Sequence, residues 1–180
     1  MTNTRKINTV NKISKKKRVV KKLKPKQVDG PEPDNFKIYV FDLDNTLYLH
    51  NVDNNYSNDY HKRVKEFLQT LKTKGKILCI ATHNKNPEYY LKRIEIFDLF
   101  DHIIFEKQEH LNPFFYGIQD YTPKNEMIEE ILHLTECKKE QVVFFDDFDY
   151  NVKQVESVGI KSIKVCDTVG LIFDDILKLN

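Results

Sequence analysis

Two carboxylates stand two residues apart in the run Asp42-Leu43-Asp44-Asn45-Thr46, at the end of an apolar stretch, and a second acidic pair, Asp146-Asp147, ends another. Carboxylates that converge repel one another unless a proton or a cation intervenes. An all-oxygen set with no convergent His or Cys favours Mg²⁺, so the electrostatics predict a divalent ion. A magnesium site rimmed by carboxylates commonly takes phosphate as its other ligand. The hydroxyl and backbone N–H of Thr82, the ammonium of Lys124 and the N–H groups after Asp42 suit that anion, with His83 and Asn84 within reach of it. With a carboxylate beside phosphorus the economical mechanism is covalent. Asp42 attacks and forms an aspartyl-phosphate that water later hydrolyses, while Asp44 protonates the leaving oxygen and then deprotonates the water.

Such chemistry needs elements that bring distant residues to one edge. Residues 37–43 form a nearly continuous apolar run that reads as a buried parallel strand, and similar runs occupy 77–81, 102–105, 142–145 and 162–165. Helical patterns fall between them. Val64, Phe67, Leu68 and Leu71 keep an i, i+3, i+4, i+7 spacing, with Gly75 placed to end that helix. Pro87 opens a second helix with Leu91, Ile94 and Phe97 inward, and Thr122-Pro123 reads as the N-cap and first-turn pair of a third, with Met127, Ile128, Ile131 and Leu132 inward. Val152, Val155 and Val158 before Gly159 mark a fourth. Alternating strands and helices predict a central parallel sheet covered on both faces. Ligands bind such sheets outside the carboxyl ends of the strands, which is where Asp42, Asp44, Thr82, Asp146 and Asp147 fall; Lys124 opens a helix on the same edge.

Each fragment alone has a plainer role: a loop turn for Asp42 to Thr46, a helix cap for Asp146-Asp147, a solvated first-turn lysine for Lys124. Together and in order they resemble the four motifs of the haloacid dehalogenase superfamily of phosphotransferases, over essentially all of residues 36–180. Phe144-Phe145-Asp146-Asp147, then Asn151 and Val158-Gly159-Ile160, is similar to the magnesium-dependent phosphatase family within it. The resemblance implies a Rossmann-like fold with about five parallel strands in the order 3-2-1-4-5 and helices on both faces. It also implies Asp42 as nucleophile, Asp44 as acid/base, Thr82 and Lys124 as phosphate ligands, and Mg²⁺ held by Asp42, the Asp44 carbonyl and Asp146. Asp147 is then a metal ligand through water or an orienter of Lys124. Thr82-His83-Asn84 departs from the Ser-Arg segment expected in that subfamily, which bears on substrate recognition rather than on the chemistry.

Length and charge frame the rest. At 180 residues, 40% of them apolar and 12% aromatic, the chain suits one packed domain and not wholesale disorder. No apolar run reaches the roughly 20 residues of a membrane span, and the N-terminus lacks a secretory apolar core. Cys79, Cys137 and Cys166 form no close pair, which fits a reducing, intracellular compartment, cytoplasmic or nuclear. The formal charge of +2 splits sharply: residues 1–35 hold 11 Lys and Arg against 3 Asp and Glu, a net +8, and the remainder is net −6. The predicted organisation is a basic, disordered tail over 1–35 and a catalytic domain over 36–180. For the tail, four readings stay open: a nuclear-localisation signal, a nucleic-acid contact through residues 5–26, an anionic-membrane contact, or a solvated segment.

Thirty-five residues separate Thr46 from Thr82 and 41 separate Thr82 from Lys124, too few in either gap for a cap domain. An uncapped crevice admits bulky substrates. The family resemblance implies a phosphoprotein, including phosphotyrosine, or another macromolecular or aromatic phosphate. The aromatic run 111–117 reads either as a platform for an aromatic ring or as a core-packed loop. A polynucleotide 3′-phosphatase that holds nucleic acid with its basic tail is the alternative, and a binding module with a vestigial site is a third class. The kept set of mutually repelling carboxylates speaks against the third. The remaining histidines, among them His50, show no ligand spacing and read as surface or packing residues.

Overall fold

The computed structural model describes residues 36–50, 52–106, 121–173 and 176. The expected basic tail and the aromatic run 111–117 lie outside the described residues.

Five strands, β1 (Ile38–Phe41), β2 (Ile77–Thr82), β3 (His102–Phe105), β4 (Val142–Asp146) and β5 (Lys161–Lys164), form one parallel sheet in the order β3-β2-β1-β4-β5. The helices are α1 (Asn54–Thr73), α2 (Pro87–Arg93), α3 (Lys124–Thr135) and α4 (Asp149–Glu156). Strand alternation decides which helix each side chain meets. Tyr39, Phe41, Leu78, Ile80 and Phe145 pack with Val64, Phe67, Leu68 and Leu71 of α1 and Leu91 of α2. Ile38, Val40, Cys79 and Phe144 pack on the other face with Met127, Ile128 and Ile131 of α3 and Val155 of α4. A strand buried on both faces has no place for a polar side chain until it leaves the sheet, which explains why β1 reads as unbroken apolar sequence.

Helix ends follow local chemistry. Past α1, Gly75 takes φ +74°, its N–H donating to Lys72 O (3.0 Å) while Lys76 N–H donates to Leu71 O (3.0 Å), the paired bonds of a Schellman stop. The same pair closes α2, with Glu95 rather than glycine at φ +57°. Two expectations shift. Phe97 does not continue α2 but falls in a separate 3₁₀ turn, Phe97–Leu99, because the chain reverses at Glu95. Thr122 is not the cap of α3: Pro123 occupies that position with no side-chain cap bond, and the freed N–H of Lys124 instead donates to Gln154 Oε1 on α4 (2.8 Å). Among the described residues no inserted cap domain is present, and no helix is long and apolar enough to cross a membrane.

Candidate active site

β1 lies at the centre of the sheet, with β2 on one side and β4 on the other, so the chain leaves β1 at the point where strand order reverses. Asp42 is the first residue past the strand, its N–H donating to Phe145 O (2.8 Å), which seats it beside the end of β4. A tight turn follows. Leu43 O accepts from the N–H groups of Leu47 (3.0 Å) and Tyr48 (2.9 Å), and Asn45 adopts φ +54°, a left-handed conformation that asparagine tolerates better than most side chains. Leu43, Leu47 and Leu49 are buried and hold the turn down. Tyr60 of α1 clamps it from behind: its hydroxyl donates to Thr46 O and accepts from Leu171 N–H (2.8 Å).

Lys124 reaches this edge from the first residue of α3 and is fully buried. Its ammonium donates to Asp42 Oδ1 (2.5 Å) and Ala81 O (2.7 Å) and lies 3.2 Å from Asp146 Oδ2, so its three protons have three acceptors. Burial alone would push this ammonium down, but the Asp42 and Asp146 carboxylates outweigh it and hold its pKa above the ordinary lysine value. Asp146 is wholly buried at the end of β4. Asn151 donates to both its oxygens (3.1 and 3.0 Å), and Phe148 N–H donates to Oδ1 (2.8 Å). Its pKa is pushed up to about 6 by burial, which with the Asp42 charge outweighs the pull of Lys124. Asp147 is also raised, by burial and then by Asp42; Asn45 donates to its Oδ2 (3.4 Å).

Asp42, Asp146 and Asp147 each offer an oxygen within 4.8 Å of the others. Three carboxylates face the buried ammonium of Lys124, and the more exposed Lys164 adds positive charge beside Asp147, whose carbonyl it bonds, so the largely buried space keeps an excess of negative charge. At an effective dielectric near 20, each carboxylate pair at that separation repels by about 3 kcal/mol. An all-oxygen set with this charge deficit fits a divalent cation. The expectation that four acidic side chains converge is corrected in one respect: the Asp44 side chain stands outside the cluster. It is hydrogen-bonded to His50 Nε2 (2.5 Å) and accepts from Asn84 Nδ2 at both oxygens (2.9 and 3.0 Å).

Thr82 ends β2 fully buried, its Oγ1 accepting from Asn84 N–H (3.1 Å). The two residues after it were expected beside phosphate and have other engagements here. The Asn84 amide holds Asp44. The Nε2–H of His83 donates to Thr122 O (3.0 Å), tying the end of β2 to the entrance of α3. Burial, followed by the Lys124 charge, lowers the His83 pKa below the usual histidine value. Sequence reasoning missed His50, Asn45 and Gln154. For Gln154 a signal existed: it lies three residues after Asn151, on the same face of α4. For His50 none did, because its contact depends on how the turn after β1 folds back.

A family profile described as Acid Phosphatase matches residues 53–176, more than half of the chain. The chain belongs to the acid phosphatase family. The match begins beyond Asp42 and Asp44, so the turn after β1 is joined to it by geometry. No curated protein matches the phosphatase in sequence. Solved structures resemble its fold. The N-terminal part of a Bacteroides fragilis protein, containing a phosphatase domain complexed with Mg, is 17% identical with a TM-score of 0.61; the match covers 82% of the phosphatase and 41% of that chain. A haloacid dehalogenase-like hydrolase from Streptococcus pneumoniae is 16% identical, covering 81% and 91%, at a TM-score of 0.53. A β-phosphoglucomutase from Clostridium difficile is 11% identical, covering 80% and 96%, at 0.56. The phosphatase thus has the haloacid dehalogenase fold, with the strand order anticipated from its sequence.

Proposed function

We propose that this phosphatase is a Mg²⁺-dependent phosphomonoesterase that works through an aspartyl-phosphate on Asp42. The observation behind the reading is the meeting of Asp42, Asp146 and Asp147 at the carboxyl edge of the sheet, with one buried lysine paired to the first two. In this reading Asp42, the Asp44 carbonyl and Asp146, with Asp147 beside them, would hold the ion, which when bound would supply charge neutralisation for the phosphoryl group. Asp42 uses a carboxylate oxygen to attack phosphorus, and the bond from phosphorus to the leaving oxygen breaks. Asp44 gives that oxygen its proton. Asp44 then takes a proton from water as the water attacks phosphorus, releasing Asp42 and inorganic phosphate. Lys124 and Thr82 face the phosphate, Lys124 also orienting Asp42 through its hydrogen bond. Asn84 and His83 support the site by holding Asp44 and the loop before α3.

The substrate class we favour is a phosphoprotein, phosphotyrosine included, or another macromolecular or aromatic phosphate, because the links from Thr46 to Thr82 and from Thr82 to Lys124 are too short for a cap domain. Turnover of p-nitrophenyl phosphate should be abolished by EDTA and by Asp42→Asn; full activity in that variant rules out the covalent route. The runner-up, a polynucleotide 3′-phosphatase, has in its favour the +8 charge of residues 1–35. It predicts hydrolysis of a 3′-phosphorylated oligonucleotide with a KM that climbs with salt and on deletion of residues 1–30. We take residues 36–180 as the catalytic domain and the compartment as intracellular, cytoplasmic or nuclear, on the odd cysteine count.

A further inference from the structure

The geometry points to His50 as a positioning residue for the acid/base Asp44, an inference that rests on the proposed mechanism. A general acid has to present its proton along one line to the leaving oxygen, so its carboxyl needs fixed torsions as much as a suitable proton affinity. Asp44 lacks the ties that fix its neighbours: it is not among the converging carboxylates, Lys124 does not touch it, and about a third of its side chain is exposed. Its carboxyl is instead held by two side chains from separate elements. Asn84, after β2, bridges both oxygens, and His50, six residues on in the same turn, meets Oδ1 at 2.5 Å.

His50 is itself held. Its ring packs on Tyr48 at 4.9 Å between centroids and on Tyr90 at 5.4 Å, and those two tyrosines meet each other at 4.9 Å. Tyr48 belongs to the turn after β1 and Tyr90 to α2, so this aromatic contact fastens the Asp44 turn to an element on the β2 side of the crevice. An imidazole packed on two touching rings loses rotamers on that side, and the short bond passes the restraint to Asp44.

A positioning role for proton delivery makes a prediction that plain structural support does not. The ratio kcat/KM reports events through departure of the first leaving group, so it isolates donation by Asp44 from later hydrolysis of the aspartyl-phosphate. A dinitrophenolate leaves without a proton, whereas phenolate benefits strongly from one. Two substitutions separate the ring contacts from the hydrogen bond. His50→Phe keeps packing against Tyr48 and Tyr90 and loses the bond; His50→Gln keeps a polar hydrogen-bonding end and loses the ring. The test measures kcat/KM of the full chain with Mg²⁺ on phenyl phosphate and on 2,4-dinitrophenyl phosphate, with melting temperature as a folding check. His50→Phe should lower kcat/KM at least tenfold on phenyl phosphate and less than threefold on the dinitrophenyl ester, and His50→Gln should recover most of the difference. An equal loss on both esters, or no loss on either, overturns the inference. Asp42→Asn run alongside keeps the two failures apart. If it abolishes turnover of both esters while His50→Phe shows no selectivity, only the role of His50 falls; if it stays active, the covalent mechanism falls and this inference with it.

Discussion

Replacing Lys124 by methionine removes a buried cation, which also stands 5.9 Å over the Phe144 ring, while a side chain of similar length and apolar character takes its place. The ammonium stands 2.5 Å from Asp42 Oδ1 and 3.2 Å from Asp146 Oδ2. With an effective dielectric near 20, those contacts are worth about 7 and about 5 kcal/mol in gross attraction. Much of that offsets the cost of taking three ions out of water, and removing one partner of a buried ion pair measures about 3–5 kcal/mol in practice. The Ala81 carbonyl also loses its donor. Lys124→Met should therefore lower unfolding free energy by about 3–5 kcal/mol in EDTA, a large part of the roughly 5–15 kcal/mol that holds an ordinary domain together. The loss should shrink when Mg²⁺ is added, because a cation in the same cluster screens the same carboxylates. The assay is urea unfolding followed by circular dichroism, with and without metal, beside turnover of p-nitrophenyl phosphate, which should fall by orders of magnitude. A variant within about 1 kcal/mol of wild type in EDTA would mean that the three carboxylates are not mutually strained, and the argument for a divalent site would lose its physical basis.

Four further outcomes follow from the same contacts. Asp146 has its pKa raised above that of an unfolded aspartate, so its contribution to stability is present below about pH 4 and disappears as pH climbs through about 6. In EDTA, wild type should therefore lose stability relative to Asp146→Asn between pH 4 and 7, and parallel melting curves would contradict this. Mg²⁺ at a hundredfold excess over its Kd should stabilise wild type by about 2.7 kcal/mol and leave Asp146→Asn almost unmoved, as calorimetry would register. Asn151→Ala strips both Asp146 oxygens of a donor and should weaken Mg²⁺ binding by about 10- to 100-fold in a titration, with unaltered affinity counting against its orienting role. Gly170 takes φ +76°, and a Cβ there would lie 2.3 Å from the Tyr60 ring; Gly170→Ala should cost more in thermal unfolding than Tyr60→Phe, for which about 1–2 kcal/mol is expected from the lost hydroxyl.

The sheet was readable because its signal is redundant. Val142 to Phe145 must face helices on both sides, so every position is apolar and the strand announces itself; the five runs and the spacing of Val64, Phe67, Leu68 and Leu71 then leave little choice of topology. Where the chain departs from expectation, a tertiary contact replaces a local one. Thr122 has the side chain of an N-cap, yet Gln154 from another helix supplies the acceptor, and nothing near Thr122 could have revealed that. Glu95 stops α2 in a conformation usually left to glycine, and the expected helical stripe through Phe97 breaks there.

Within the site the same division holds. Asp42, Lys124 and Asp146 could be placed from sequence because each sits one step beyond a strand or at the first residue of a helix, and parallel topology sends all such positions to one edge. Asp44 sits two residues further, past the first bend of the turn, and there the backbone path and not the sheet decides where a side chain goes. Four carboxylates close in sequence logic thus became three converging on one another, two of them paired with a lysine, and one set apart with its own donors. That separation suits the chemistry proposed for them. A group that must keep a negative charge for attack is best placed beside a buried ammonium, whereas a group that must gain and lose a proton within each turnover works better away from it, partly exposed and held by hydrogen bonds. If the two environments are exchanged by design, with a lysine brought against Asp44, protonated Asp44 becomes scarcer. Turnover of esters with poor leaving groups should then suffer first, before binding of Mg²⁺ changes at all.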